Sequence, residues 1–208
     1  MRIQIDRRDF LATSIALAGI AGSPAWVRAQ ASSGAGKFIE DLAEKAVAAL
    51  TDKNTPRDER ARRFRVLLND HFAVETIARW VLGRHWNSAS ADQRVEYLRL
   101  FEDLIVNSYV DRFTEYAGEK LGVLRSLIIE GGDEMVYSVI ARANQSEPVE
   151  VDWRVRQRDG KFKIVDVMVK GISMGVTQRQ EFASVLTRNN NDMSAFLSEL
   201  RERVKKGA

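Results

Sequence analysis

Cysteine is absent from the 208 residues, and proline occurs only three times. The first absence removes disulfides, thiolate nucleophiles and cysteine-based metal sites, while an oxidising compartment stays permitted without being required. The second, with 45% hydrophobic and 29% charged residues, leaves no disordered low-complexity block and predicts a folded chain without a long linker. Histidine is also scarce. His71 and His85 stand fourteen residues apart beside Phe72 and Trp86, a spacing that suits packed interfacial histidines better than a metal site, which needs several clustered donors. Charge of one sign is lacking too. Lysine and arginine number 32 against 29 aspartate and glutamate, a net charge of +3. The first 31 residues hold four arginines and two aspartates, so the remainder carries +3 minus +2, or +1. Such a balance gives no support to nucleic acid as a partner. The glycine patterns of nucleotide and phosphate loops, the nucleophile elbow and the His-Glu-x-x-His metal motif do not occur.

What is present begins with a leader-like N-terminus. Arg7-Arg8-Asp9-Phe10-Leu11 precedes a weakly apolar stretch to Gly22, then Pro24 and the small-residue end Ala29-Gln30-Ala31. This pattern reads as a twin-arginine export signal, with the general secretory route left open. The apolar stretch is well short of the ~20 residues of a membrane span and is diluted by Thr13, Ser14, Gly19 and Gly22. With no cysteine after it, lipid anchoring is not expected. The expected organisation is a leader over 1–31 and a single exported, soluble domain over 32–208.

From Phe38 to Gly118 the apolar spacing is helical. One helix holds Phe38, Leu42, Ala46 and Leu50. A second starts at Thr55-Pro56, with threonine as cap, and buries Phe64, Leu67 and Leu68. A short third runs from Val74 to Leu82 and stops at Gly83. Ser90-Ala91-Asp92-Gln93 is a capping box opening a long helix whose broad apolar face includes Phe101, Tyr109 and Phe113. After Gly118 the period becomes two. Val123 to Glu130, Met135 to Arg142, Val149 to Gln157 and Phe162 to Val169 read as four strands joined by short turns, an antiparallel meander. The third strand alternates cleanly, Val149, Val151, Trp153 and Val155 against Glu150, Asp152, Arg154 and Arg156, so one face is dry and the other wet. Two helices, Thr177 to Arg188 and Asp192 to Lys205, close the chain. The fold class is α+β: N-terminal helices, a four-stranded curved sheet, two C-terminal helices and an apolar interior between layers.

Carboxylates such as Asp58, Glu59, Glu102 and Asp103 lie on charged helix faces, where solvation or ion pairing is their ordinary role. Asp166 differs, since it interrupts an apolar strand. It reads as a buried acceptor for backbone or arginine donors, and its only catalytic reading would be as the seed of a polar cluster inside a pocket.

Two blocks carry a family resemblance. Ile77-Ala78-Arg79-Trp80-Val81-Leu82-Gly83-Arg84-His85-Trp86 with Ala91-Asp92-Gln93-Arg94, and Phe162 through Asp166-Val167 to Gly171-Ile172-Ser173-Met174 with Arg179 and Phe182, resemble the periplasmic phospholipid-binding proteins of the Mla pathway, also called toluene-tolerance proteins. Gln178 and Val165 depart from the tyrosine and the aromatic residue common there. The resemblance implies a periplasmic carrier, not an enzyme, with phospholipid as cargo and no cofactor. It implies as partners an inner-membrane ABC transporter bearing an MCE-domain ring and an outer-membrane lipoprotein complex. The lining candidates are Val123, Leu127, Tyr137, Val139, Val151, Trp153, Val155, Val165, Val167 and Val169 on the sheet, with Trp80, Tyr109, Phe113 and Met174 nearby. Arg79 and Arg179 are candidates for headgroup steering, docking or pairing with Asp166. Two other classes stay open: a periplasmic scaffold or chaperone, which would bind protein through an exposed apolar patch, and a small-molecule enzyme on a cone-shaped fold.

Overall fold

The computed structural model describes residues 34–141 and 147–207. The leader read over 1–31 and the turn ahead of the third strand, 142–146, lie outside the described residues. Helices come first: α1 (Gly34–Leu50), α2 (Arg57–His71), α3 (Val74–Leu82), the single turn α4 (His85–Ser88) and α5 (Ala91–Tyr109), which tightens into a 3₁₀ turn over Val110–Glu115. Five strands follow, β1 (Lys120–Ile128), β2 (Glu134–Ala141), β3 (Val149–Arg158), β4 (Lys161–Val169) and the two-residue β5 (Ile172–Ser173), then α6 (Met174–Arg188) and α7 (Met193–Lys206). The expected meander thus gains a fifth strand. Lys170 and Gly171, with φ of 50° and 76°, turn the chain back so that Ile172 and Ser173 pair with Val169 and Met168.

Local chemistry sets the helix ends. The capping box forms as read: Gln93 N–H donates to Ser90 Oγ, and Ser90 N–H donates to Gln93 Oε1. The α2 end differs from the sequence expectation. Thr55 is buried and its side chain does not cap; instead the buried Arg60 guanidinium donates to the carbonyls of Leu50, Asp52 and Thr55 at 2.9, 3.0 and 2.9 Å. A cation on a fork of carbonyls fastens the α1–α2 turn more firmly than one hydroxyl would.

Two hydrophobic cores result. The first is helical and aromatic, with Tyr97, Phe101, Phe182 and Phe196 packed largely edge to face among α3, α5, α6 and α7. Phe182 and Phe196 have ring centroids 5.1 Å apart. The Tyr97 hydroxyl donates to the Ala78 carbonyl at 2.9 Å, and burial pushes its pKa far up. The second core lies between α1 and the sheet, where Ala35, Ile39 and Leu42 meet Val136, Val155 and Ile164.

The sheet is antiparallel throughout, in the order β1-β2-β3-β4-β5. Its register joins Val123, Ser138, Val151 and Val169 in one cross-strand row and Ser126, Val136, Trp153 and Val167 in the next. These rows form the face toward α1. Bulges shift the register between Val123 and Arg125 and between Arg154 and Val155, leaving Leu124 and Val165 unpaired. An extra residue bends its strand and increases the local twist, which curves the sheet around α1.

Asp133 closes the β1–β2 hairpin. It is 2% exposed and receives both Arg154, at 2.7 Å, and Arg156, at 2.7 and 2.8 Å. The hydrogen bond from Arg156, joined by that from Arg154, outweighs burial and holds its carboxyl below the usual aspartate range. A carboxyl lowered on folding stabilises above its unfolded pKa, near 4, and that stability fades as pH falls through the folded value. Asp133→Asn is therefore expected to cost about 2 kcal/mol at pH 7, less than a fully buried pair because both guanidiniums keep access to water. Urea titrations should show the variant and the parent converging below about pH 4; a difference that persists unchanged into acid would contradict the ion-pair account.

Candidate functional site

The sheet face toward α1 is largely apolar, with Ser126 and Ser138 as the polar residues of its two rows. Val151 and Val155 are buried there, while Val123, Trp153, Val167 and Val169 stay half-buried beside them. Ser138, 1% exposed, accepts from Trp153 Nε1 at 3.0 Å and donates to the Val151 carbonyl, so the indole is tied to the neighbouring row. Six of the sequence candidates, Val123, Val151, Trp153, Val155, Val167 and Val169, therefore share one surface.

Four others do not join them. Leu127 pairs with Met135, opposite Arg154, on the far face of the sheet. The cause is the bulge at Leu124: plain alternation puts Leu127 in phase with Val123, and one extra residue reverses that phase. Tyr137 and Val139 pair with Asp152 and Glu150 on the same far face, where Arg125 lies 4.4 Å above the Tyr137 ring. Strand β2 is apolar at both parities, and Ser138 made the buried parity look like the polar one. Val165 is the unpaired residue of the second bulge.

The helix candidates divide as well. Phe113, half-buried in the 3₁₀ turn, has its ring 5.4 Å from Phe64 of α2. Tyr109 is 40% exposed beneath Arg112. Trp80 lies elsewhere, at the junction of α3 with α6. An added Cβ on Gly175 would meet its ring at 3.1 Å, and Arg179 stacks over it at 5.0 Å while donating to its carbonyl at 3.1 Å. Met174 opens α6 at that same junction. Glycine is required at 175 for this approach, and at 83, where φ is 62° and a Cβ would meet Arg179 at 3.2 Å.

Asp166 organises the junction. Its Oδ1 accepts from the backbone N–H groups of Val167 and Gly175, at 2.9 and 3.1 Å, and its Oδ2 accepts the Ser173 hydroxyl at 2.6 Å. Ser173 Oγ in turn accepts from Val176 N–H at 3.0 Å. The carboxylate thus sits on the first turn of α6, where backbone donors and the helix dipole favour a negative charge. Neither arginine candidate pairs with it: Arg79 takes Glu75 and the Trp86 ring, and Arg179 takes Trp80. The Asp-Val, Gly-Ile-Ser and arginine signature is accounted for as the joint between β4 and α6. Asp166→Ala is expected to lower stability by about 2–3 kcal/mol through loss of charge-assisted hydrogen bonds. A melting temperature equal to the parent's would remove Asp166 from that role.

The histidines are structural neighbours of these elements. His71 stacks on Phe38, ring centroids 5.6 Å apart, with Nδ1 2.9 Å from the Leu67 carbonyl. Burial, followed by the charge of Arg84, lowers the pKa of His85. A groove of about 320 Å³ lies between α2, α3 and α5, with Arg65, Arg99, Glu75 and Glu102 around Val74 and Leu98. Its charged rim sets it apart from the sheet face.

Comparison with known proteins settles the family. A family model described as MlaC protein matches residues 40–202, spanning both signature blocks and every element from α1 to α7. The chain belongs to the MlaC family. A curated member, the intermembrane phospholipid transport system binding protein MlaC of Haemophilus influenzae, is 27% identical over 117 residues, covering 54% of each chain. The matched stretch thus spans about half the length of that relative. Among solved structures, the phospholipid-binding protein from Ralstonia solanacearum, in complex with a phospholipid, superposes with a TM-score of 0.75 over 84% of this chain and 99% of its own, at 17% identity. That likeness establishes the MlaC-like α+β fold for this chain.

Proposed function

We propose that this protein is a soluble periplasmic carrier of phospholipid, taking acyl chains between the α1-facing side of the sheet and the helices above it and leaving the headgroup in water. The observation that carries the reading is that Val123, Trp153, Val167 and Val169, on two adjacent rows of the α1-facing side of the sheet, stay half-buried, in a chain of the MlaC family. A phospholipid bound to a protein of the same fold supports it. Among the described residues no helix is long and apolar enough to cross a membrane, which agrees with a carrier that leaves the bilayer.

Magnitudes make the task clear. Burying one methylene is worth about 0.8 kcal/mol, so a sixteen-carbon tail out of water represents on the order of 12 kcal/mol. Free lipid does not cross an aqueous gap at that cost. A tail gives up a similar amount on leaving a bilayer, so the interior has to match the membrane closely without exceeding it. The seam of contact between α1 and the sheet, made by aliphatic side chains, the Trp153 indole and the Phe38–Phe162 pair, offers apolar contacts of that kind. The partners in this reading are an inner-membrane ABC transporter with an MCE-domain ring and an outer-membrane lipoprotein complex, between which the loaded carrier diffuses.

Transfer tests the proposal. Incubation with vesicles containing a fluorescent phospholipid, followed by flotation, is expected to leave label on the protein at about one lipid per chain. Label that stays wholly in the floated vesicles would count against a carrier and for a scaffold.

A further inference from the structure

A second surface stands out at the α3–α6 junction, away from the α1-facing sheet. Three apolar side chains project there: Trp80, 45% exposed, Ile172, 60%, and Val176, 41%. Ile172 follows the left-handed Lys170-Gly171 turn, and Val176 occupies the first turn of α6 beside Gly175, which touches Trp80. They stand at element ends, on a turn and a helix start, so they protrude instead of lining a groove.

Cations lie on the same and adjoining elements. Arg179 stacks on Trp80, and its guanidinium reaches the Gly83 backbone next to Arg84. Arg79 and Arg94 lie 4.9 and 5.4 Å from the Trp86 ring centroid. Arg94 donates to the carbonyls of Trp86 and Asn87, Arg179 to that of Trp80, and Arg84 lies 3.5 Å from His85 Nε2. Among the described residues these three guanidiniums therefore have no carboxylate partner, in contrast to Arg65, Arg154, Arg201 and Arg203 elsewhere. Lys170 adds an exposed ammonium at the turn. The carboxylates on these elements are Glu75, which takes Arg79, Asp166, engaged by Ser173 and the backbone, Glu181, which takes Arg203, and on α5 Asp92 in the first turn with Glu96, Glu102 and Asp103 beyond it, which take Arg201 and Arg65.

We infer that this patch docks the protein onto an anionic phospholipid bilayer surface, Trp80, Ile172 and Val176 entering the headgroup layer while Lys170, Arg84, Arg94 and Arg179 meet lipid phosphates. Protruding aliphatics beside an indole, with cations nearby that have no carboxylate partner, are what an interface with an apolar inside and a negative outside favours. Arginine forks match phosphate geometry, and counter-charge on the bilayer supplies the partner that these guanidiniums lack in the fold. The inference goes beyond the cargo reading and uses different residues from the sheet seam.

Sedimentation with vesicles tests it. The protein purified from the cells that make it is mixed with phosphatidylcholine vesicles or with vesicles holding about one third phosphatidylglycerol, at low and high salt. Binding at least tenfold stronger to the anionic vesicles, lost at high salt, is expected. Ile172→Ser with Val176→Ser, and separately Lys170→Glu with Arg84→Glu, should each reduce it at least fivefold while the circular dichroism and the phospholipid content by mass spectrometry stay at the parent level. Equal or absent binding to the two vesicle types, or variants that bind as the parent does, would overturn the inference, and an acidic protein would then be the better partner for this patch. Loss of bound phospholipid in the parent itself would instead count against the cargo reading alone.

Discussion

Phe182→Ala is expected to lower stability by about 3–5 kcal/mol, a large effect for a single truncation. Phe182 is 1% exposed and meets Tyr97, Phe101 and Phe196 with ring centroids 6.2, 6.3 and 5.1 Å away. These neighbours come from α5 and α7 and are themselves buried, so no single side chain can swing into the space. The cost then combines lost transfer energy, lost edge-to-face contacts and a cavity whose walls relax little. Urea denaturation of parent and variant checks the figure. A change below about 1 kcal/mol would mean that the core collapses freely around the gap. The comparison bears on the fold because this core joins α3, α5, α6 and α7, separately from the core between α1 and the sheet.

The second large effect concerns the seam. Val167→Lys, on the face toward α1, is expected to reduce phospholipid binding at least about tenfold, because an ammonium among acyl methylenes loses its hydration without gaining a partner. Val139→Lys, on the opposite face beside Glu150, should bind lipid as the parent does. The two substitutions are identical in chemistry and lie in the same sheet, so their difference reports the face and not the charge. Vesicle transfer on variants with parent-like circular dichroism provides the readout. Equal binding by both variants, or loss in Val139→Lys alone, would move the cargo off the α1-facing side.

Much of the architecture was legible in the residues, and the exceptions have definite causes. The capping box at Ser90, the stop at Gly83 and the alternation of β3 are local signals with local outcomes, and each appears as read. Strand β5 was missed because two residues carry no periodicity. The faces of β1 and β4 were harder, since a bulge leaves no mark in the sequence; against an expectation of unbroken alternation, Leu127 pairs with Met135 on the far face and Val165 is unpaired. In β2 the small hydroxyl of Ser138 pointed the wrong way, because its partners, Trp153 Nε1 and the Val151 carbonyl, come from another strand. Asp166 was read as an acceptor for backbone or arginine donors; backbone and Ser173 supply them, and both arginines take indoles and Glu75 instead.

This division bears on what the signature blocks do. Their most specific residues, Trp80, Gly83, Asp166, Ser173 and Arg179, form the α3–β4–α6 joint, while the proposed cargo face is built from ordinary valines and one tryptophan. A motif search therefore finds the α3–β4–α6 joint, and only the register of the sheet shows which aliphatic side chains share a surface.

The central claim is that the protein carries phospholipid, and native mass spectrometry of the protein purified without detergent tests it most directly, followed by organic extraction of whatever departs. The account predicts a stoichiometric mass increment that extraction identifies as phospholipid, with the number of acyl chains read from its composition. A protein that is empty in the spectrometer and also takes no phospholipid from vesicles would contradict it.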